Sequence, residues 1–172
     1  MWTHFDEEGR PQMVDVSGKA PNLREAWAEG WVRVTVPILE ALQGHTLKKG
    51  DPFPVAELAG IQGAKQTWSL IPLCHPLRLD QVEVRCELVP HRCSVRILSH
   101  SVATEATGVE MEALMAVSVA ALTLYDMCKG LDKGMVLESI RLLRKTGGKS
   151  GTWSCDGEGA PFSGEAAESC AS

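Results

Sequence analysis

Between Arg24 and Val36 the chain alternates. Ala26, Ala28, Gly30, Val32 and Val34 fall on one side and Trp27, Glu29, Trp31 and Arg33 on the other, a period of two that predicts a strand. Met13 to Val16 is short and apolar enough for another. Pro37 is suited to open a short helix that Gly44 closes, and Lys48 to Pro52 follows as a loop. Helical spacing returns from Val55 to Trp68 through Leu58, Ile61 and Ala64. Pro72 and Pro76 then bracket Leu73-Cys74-His75 and hold it in a turn. Gln81–Leu88 and Cys93–Leu98 alternate again, and with Pro90-His91 between them they predict a hairpin. Gly108 to Lys129 is one long, mostly apolar helix, the composition of an element buried on most sides. Met135–Leu143 is a final strand candidate, and Gly147, Gly148 and Gly151 make a flexible loop. From Ser154 onward the residues are small, polar and acidic without periodicity, which predicts a disordered tail. The chain thus divides into an extension over residues 1–12, a single domain over 13–153 and a tail over 154–172. Hairpin strands on one side and long helices on the other predict an α+β sandwich with a mostly antiparallel sheet.

Composition narrows the function. A chain of 172 residues, 44% hydrophobic and 23% charged, has the balance of an ordinary globular domain with a core of its own. Its net charge of −5 argues against a general nucleic-acid binder, which needs a basic face, but leaves room for a local basic pocket. No window approaches the length expected of a transmembrane helix, and the acidic start MWTHFDEEGR has no apolar core for a secretory signal. The cysteines, Cys74, Cys86, Cys93, Cys128, Cys155 and Cys170, include no Cys-x-x-Cys pair. They read as reduced thiols of a cytoplasmic protein.

Several residues carry candidate chemistry. Asp126 and Lys129 stand three apart and share a helix face. An exposed ion pair is the ordinary reading of that spacing. The apolar run before them, with Met127 and Cys128 beside them, predicts instead a partial burial that moves both groups toward neutrality unless they pair, as acid–base work requires. In Leu73-Cys74-His75 a histidine between two prolines is usually a hydrogen-bonded turn residue. Adjacent Cys and His seldom reach one metal, and no third ligand stands at zinc spacing. Glu110 and Glu112 suit the positive end of a helix dipole. Two residues apart, they diverge if the segment is helical and face one ligand only if it is extended. Among the basic residues Lys19, Lys49, Lys65, Arg141, Lys145 and Lys149, several lie in loops beside glycine, where backbone N–H groups and ammonium charge together suit phosphate. Gly148-Lys149-Ser150 is not a P-loop, since the pattern needs glycine where Leu143 stands.

Five segments in order carry a family resemblance: MVDVSGK from Met13, KKGD from Lys48, AGIQGAKQTWSLIPLCHPL from Ala59, GVEMEALMAVSVAALTLYDMCK from Gly108 and RLLRKTGGKSG from Arg141. Together they resemble cyclic pyranopterin monophosphate synthase, the second enzyme of molybdenum cofactor biosynthesis. The resemblance implies a ferredoxin-like α+β sandwich, with dimers building a hexamer and the pocket between subunits. It implies a cyclised GTP derivative as substrate, supplied by a radical enzyme, and a tricyclic pyranopterin with a cyclic phosphate as product, released with pyrophosphate. Asp126 as proton acceptor, Lys129 and Lys49 are implied to be catalytic. Leu73, Cys74, His75, Met111 and Glu112 are implied to bind substrate, with Glu110 nearby and Lys19 and Lys145 in the same pocket. Lys149 and Arg141 join this basic set. Ring opening and closing need proton shuttling, and a triphosphate needs charge neutralisation. Neither task calls for a metal or organic cofactor. Nor are a nucleic acid or a membrane expected as partners. The rival reading is a non-catalytic nucleotide-binding module on the same fold. Trp27 and Trp31 on one side of their strand predict an exposed apolar interface and a homo-oligomer.

Overall fold

A computed structural model describes residues 4–155. The strands are β1 (Asn22–Arg33), β2 (Gln81–Val89), β3 (Ser94–Glu105), β4 (Val136–Thr146) and β5 (Trp153–Ser154), and the helices are α1 (Val36–Gln43), α2 (Pro52–Lys65), α3 (Thr67–Leu70) and α4 (Glu110–Cys128). Their sheet has the order β2-β3-β1-β4-β5 with every neighbouring pair antiparallel. Up to β4 the succession is the split β-α-β-β-α-β of the ferredoxin-like sandwich.

The two long helices lie on one face of the sheet, and small residues bring them close. The inward side of β1 carries Ala26, Ala28, Gly30 and Val32, with both alanines and the valine fully buried. A Cβ at Gly30 would come within 2.5 Å of Val117, so the glycine is what lets α4 rest on the strand. Where α2 meets α4, Cβ atoms at Gly60 and Gly63 would stand 2.8 Å from the Ala116 carbonyl oxygen and 2.7 Å from Val119. The buried stripe of α4 runs Ala113, Ala116, Val117, Ala120, Ala121, Leu124, Cys128, the three-and-four spacing of a helix seated on a core. By length and composition α4 is also apolar enough to cross a membrane, contrary to the sequence expectation; here it packs as the core helix of the sandwich.

Other differences are local. Met13–Val16 forms no strand among the described residues. The helical run predicted to Trp68 breaks at Gln66 into α2 and α3. β3 continues past Leu98 to Glu105, because Ser99 and Ser101 occupy inward positions where alternation predicts apolar residues; Ser99 Oγ donates to the Ala113 carbonyl at 2.8 Å. Trp153–Ser154 pairs with Lys145 and Arg144 as an edge strand, so Ser154 belongs to the sheet, and the Cys155 N–H donates to the Leu143 carbonyl beside it. The remainder of the predicted tail lies outside the described residues.

The tryptophan side of β1 faces away from the helices, but it is not an exposed apolar patch. Trp27 is 6% exposed, stacks on His100 with ring centroids 4.3 Å apart, and lies under Arg144. Arg92 and Arg96 cover Trp31. Exposed apolar side chains on the helical layer include Leu58 on α2, 69% exposed, and Leu122 on α4, 59% exposed.

Candidate active site

The predicted site residues fall mainly into two groups, one at each end of α4. At the N-terminal end is an open cavity of about 340 Å³ whose lining includes Lys19, Leu73, Cys74, His75, Glu110, Met111 and Glu112. Three pieces of chain build it. The turn after α3, closed by the Cys74 N–H to the Ile71 carbonyl at 3.1 Å, presents Leu73-Cys74-His75. The link from β3 to α4 delivers Thr107 and Gly108, and the segment before β1 adds Val14, Val16 and Lys19. The His75 Nε2 lies 2.9 Å from the Val14 carbonyl. Since a carbonyl only accepts, Nε2 carries the hydrogen, and in the neutral ring Nδ1 is left as an acceptor.

Glu110, Met111 and Glu112 are helical, yet all three line this cavity, because it wraps around the end of the helix rather than lying along one face. Glu112 is 4% exposed. Burial pushes its carboxyl up to about 7, with Glu110 adding to the rise and its own backbone N–H opposing it. Burial, with Glu112 nearby, also raises the Cys74 thiol, so that group is a neutral S–H.

The C-terminal end of α4 is its opposite in environment. Asp126 accepts from both lysines: Lys129 Nζ is 2.7 Å from Oδ1, and Lys49 Nζ is 3.2 Å from Oδ2 and 2.9 Å from the Asp126 main-chain oxygen. Lys49 arrives on the loop before α2, whose first turn is capped by Asp51 accepting from the Phe53 N–H. The predicted partial burial is not observed, since the side chains of Asp126 and Lys129 are 57% and 49% exposed. Nor do the two groups move toward neutrality. Hydrogen bonds from Lys129 and then Lys49 hold Asp126 below the usual carboxylate range, and the bond to Asp126 raises Lys129. At neutral pH the cluster is one carboxylate between two ammonium groups.

At about 1.5 Å per residue, Asp126 lies roughly 20 Å further along the axis than Glu112. One chain therefore does not bring its two groups together. Of the remaining candidates, Lys145 sits near the cavity end, donating to Ser150 Oγ and to the Gly147 carbonyl, while Lys149 is exposed on the same loop. Lys65 is exposed in the last turn of α2. Arg141 lies elsewhere: with Arg96 it binds the buried Glu29 carboxylate on the open side of the sheet.

Sequence reasoning missed Arg24. Its Nε and Nη2 donate to the Glu105 and Ala106 carbonyls at 3.2 and 3.1 Å, just before the chain enters the cavity wall. Its guanidinium also sits where a side chain at Gly148 would project, and a Cβ at Gly147 would strike the Leu23 carbonyl. Both glycines have positive φ, 86° and 77°. The glycine pair is thus required twice over, by backbone angle and by the closeness of β1.

The model of the MoaC family matches residues 13–148. The chain belongs to the MoaC family. It is an enzyme of molybdenum cofactor biosynthesis, the family being that of cyclic pyranopterin monophosphate synthase. Both ends of α4 fall within the matched stretch, as does Arg24. His4, Lys149 and β5 fall outside it.

Proposed function

We propose that this enzyme is a phosphorus–oxygen lyase that converts a cyclised GTP derivative to cyclic pyranopterin monophosphate and releases pyrophosphate. The observation that carries the reading is the pairing of a carboxyl group at about 7, Glu112, with the Leu73-Cys74-His75 turn in one cavity. A group poised there both donates and accepts protons at neutral pH, as ring opening and closing demand. His75, with Nδ1 as an acceptor, supplies a second proton site. Lys49 and Lys129 would neutralise the triphosphate and the charge that grows on departing pyrophosphate. Asp126, held ionised, can accept a proton only as a weak base; its larger contribution is to fix both ammonium groups.

The two groups would meet across a pair of chains. An antiparallel pairing of two α4 helices about a two-fold axis would set the cavity of one chain against the Lys49–Asp126–Lys129 cluster of its partner. The exposed Leu58 and Leu122 support such a pairing through the helical layer. A homodimer is the smallest assembly this reading requires, and it is the building unit of the trimer of dimers that the family resemblance implies. A cytoplasmic location goes with the free thiols of Cys74, Cys86, Cys93 and Cys128. The decisive experiment is to incubate the purified enzyme with the cyclised GTP derivative and measure pyrophosphate. Its release, with formation of the cyclic phosphate, is the expected result; no release overturns the reading.

A further inference from the structure

The family match begins at Met13, but one wall of the cavity begins before it. Residues 4–12 fold back on themselves as a small hairpin. Phe5 and Pro11 form an antiparallel bridge, the Gln12 N–H donates to the His4 carbonyl at 2.9 Å, and Gly9 turns the chain with φ 76°. One carboxylate organises the turn. Asp6 Oδ1 accepts from the backbone N–H of Glu8 at 3.0 Å and of Arg10 at 2.8 Å, and Oδ2 accepts from Arg10 Nε at 2.9 Å. After Gln12 the chain passes Val14, whose carbonyl accepts from His75, and reaches Lys19 through a turn closed by the Lys19 N–H to the Val16 carbonyl at 3.0 Å. This brings His4 to the cavity lining, on a hairpin whose hydrogen bonds are its own.

A nine-residue surface hairpin has almost no core, so its stability rests on the turn that Asp6 ties. What that order achieves at the site is to hold the His4 backbone beside the cavity. The cavity carries Glu110 and Glu112 on one wall and Lys19, His75 and His4 on the others. Such a lining suits a ligand with hydrogen-bond donors at one end and anionic oxygens at the other. We propose that His4 is a substrate-binding residue, held at the cavity by the Asp6 hairpin and donating an N–H to a phosphate oxygen of the substrate beside Lys19. The proposal rests on the reading of the cavity given above, and it adds to the site a residue from outside the family-matched stretch.

Steady-state kinetics of pyrophosphate release test it with His4→Ala, His4→Gln, Asp6→Ala and the His4→Ala/Asp6→Ala double variant, each checked for melting temperature. Losing a hydrogen bond to a charged group should raise KM about tenfold in His4→Ala with kcat unchanged. His4→Gln, which keeps an N–H, should recover part of the loss. Asp6→Ala should match His4→Ala, and the double variant should be no worse than either, because both changes remove one contact. A KM for His4→Ala within about twofold of wild type at unchanged melting temperature overturns the proposal; so do Asp6 and His4 effects that multiply. A second arm does not depend on turnover: GTP added to the wild-type chain should shift the His4 imidazole NMR signals, and unmoved signals overturn the contact. Wild-type chain that releases no pyrophosphate while His4 still responds to GTP would sink the reaction and leave the contact standing.

Discussion

The two ends of α4 each carry a carboxylate with a proposed task, and they behave in opposite ways. Glu112 is buried, with the acid Glu110 adding to the effect, and its carboxyl rises to about 7. Asp126 stands in solvent between two lysines and is lowered. One residue class on one helix yields a proton exchanger at one end and a fixed negative charge at the other. Desolvation decides the first and neighbouring cations the second. An acidic residue near a candidate site is therefore not in itself a general base; its surroundings assign the role.

The largest expected effect separates charge from proton transfer. Lys49→Ala and Lys129→Ala should each lower turnover by about two to four orders of magnitude, as should Asp126→Asn, through the loss of electrostatic and acid–base help. Melting temperatures should stay nearly unchanged, because exposed ion pairs add little to stability. More than a tenth of wild-type activity in all three would end the assignment.

The division of the site between two chains is broken or sharpened by mixing inactive variants. Lys49 and Asp126 belong to one cluster, so mixing Lys49→Ala with Asp126→Asn chains should restore nothing. His75→Ala mixed with Lys49→Ala joins lesions at opposite ends of α4. Random pairing should then rebuild one intact site in half of the dimers and recover about a quarter of wild-type activity. Recovery in the first mixture, or none in the second, refutes the shared site.

The contrast in protonation has its own test in stability. Glu112 goes from about 4.5 unfolded to about 7 folded, so between those values the folded state holds the extra proton. Stability therefore falls as pH rises through that window, and the penalty is fully present above pH 7. Glu112→Gln should remove this slope and stabilise the chain at pH 8 by about 2 kcal/mol, read by urea unfolding at several pH values. It should also abolish the corresponding limb of the kcat/KM profile. An unchanged slope would show that Glu112 is ionised throughout.

The smallest effect distinguishes the sheet face from the site. Arg141→Ala should leave KM and kcat within about twofold of wild type while costing about 1 kcal/mol, since Arg96 still accompanies the buried Glu29. A tenfold rise in KM would return Arg141 to the substrate set.

Much of this was legible from residue order. The alternation over β1, the β2–β3 hairpin and the apolar run of α4 are local patterns, and local patterns survive in any tertiary setting that buries one face. The five family segments likewise stand in the residue order itself, and the match over residues 13–148 bears out the family they point to. The inward serines of β3 misled the alternation because their hydroxyls find partners, or simply burial, only once α4 lies over them. Trp27 and Trp31 seemed an exposed patch because sequence does not announce that Arg92, Arg96, Arg144 and His100, brought in by other elements, will cover them.

What the sequence determined by itself is the set of elements and the identities of the chemical groups, since periodicity and side-chain chemistry are properties of neighbours along the chain. Tertiary structure alone decided how each group is solvated. It buried Glu112 and exposed Asp126 on the same helix, tied Lys49 to Asp126 across a separation of 77 residues, spent Arg141 on Glu29, and brought His4 to a cavity built mostly of distant segments. Burial and charge pairing depend on what packs from elsewhere in the chain, and those two terms fix whether a carboxyl group keeps its proton.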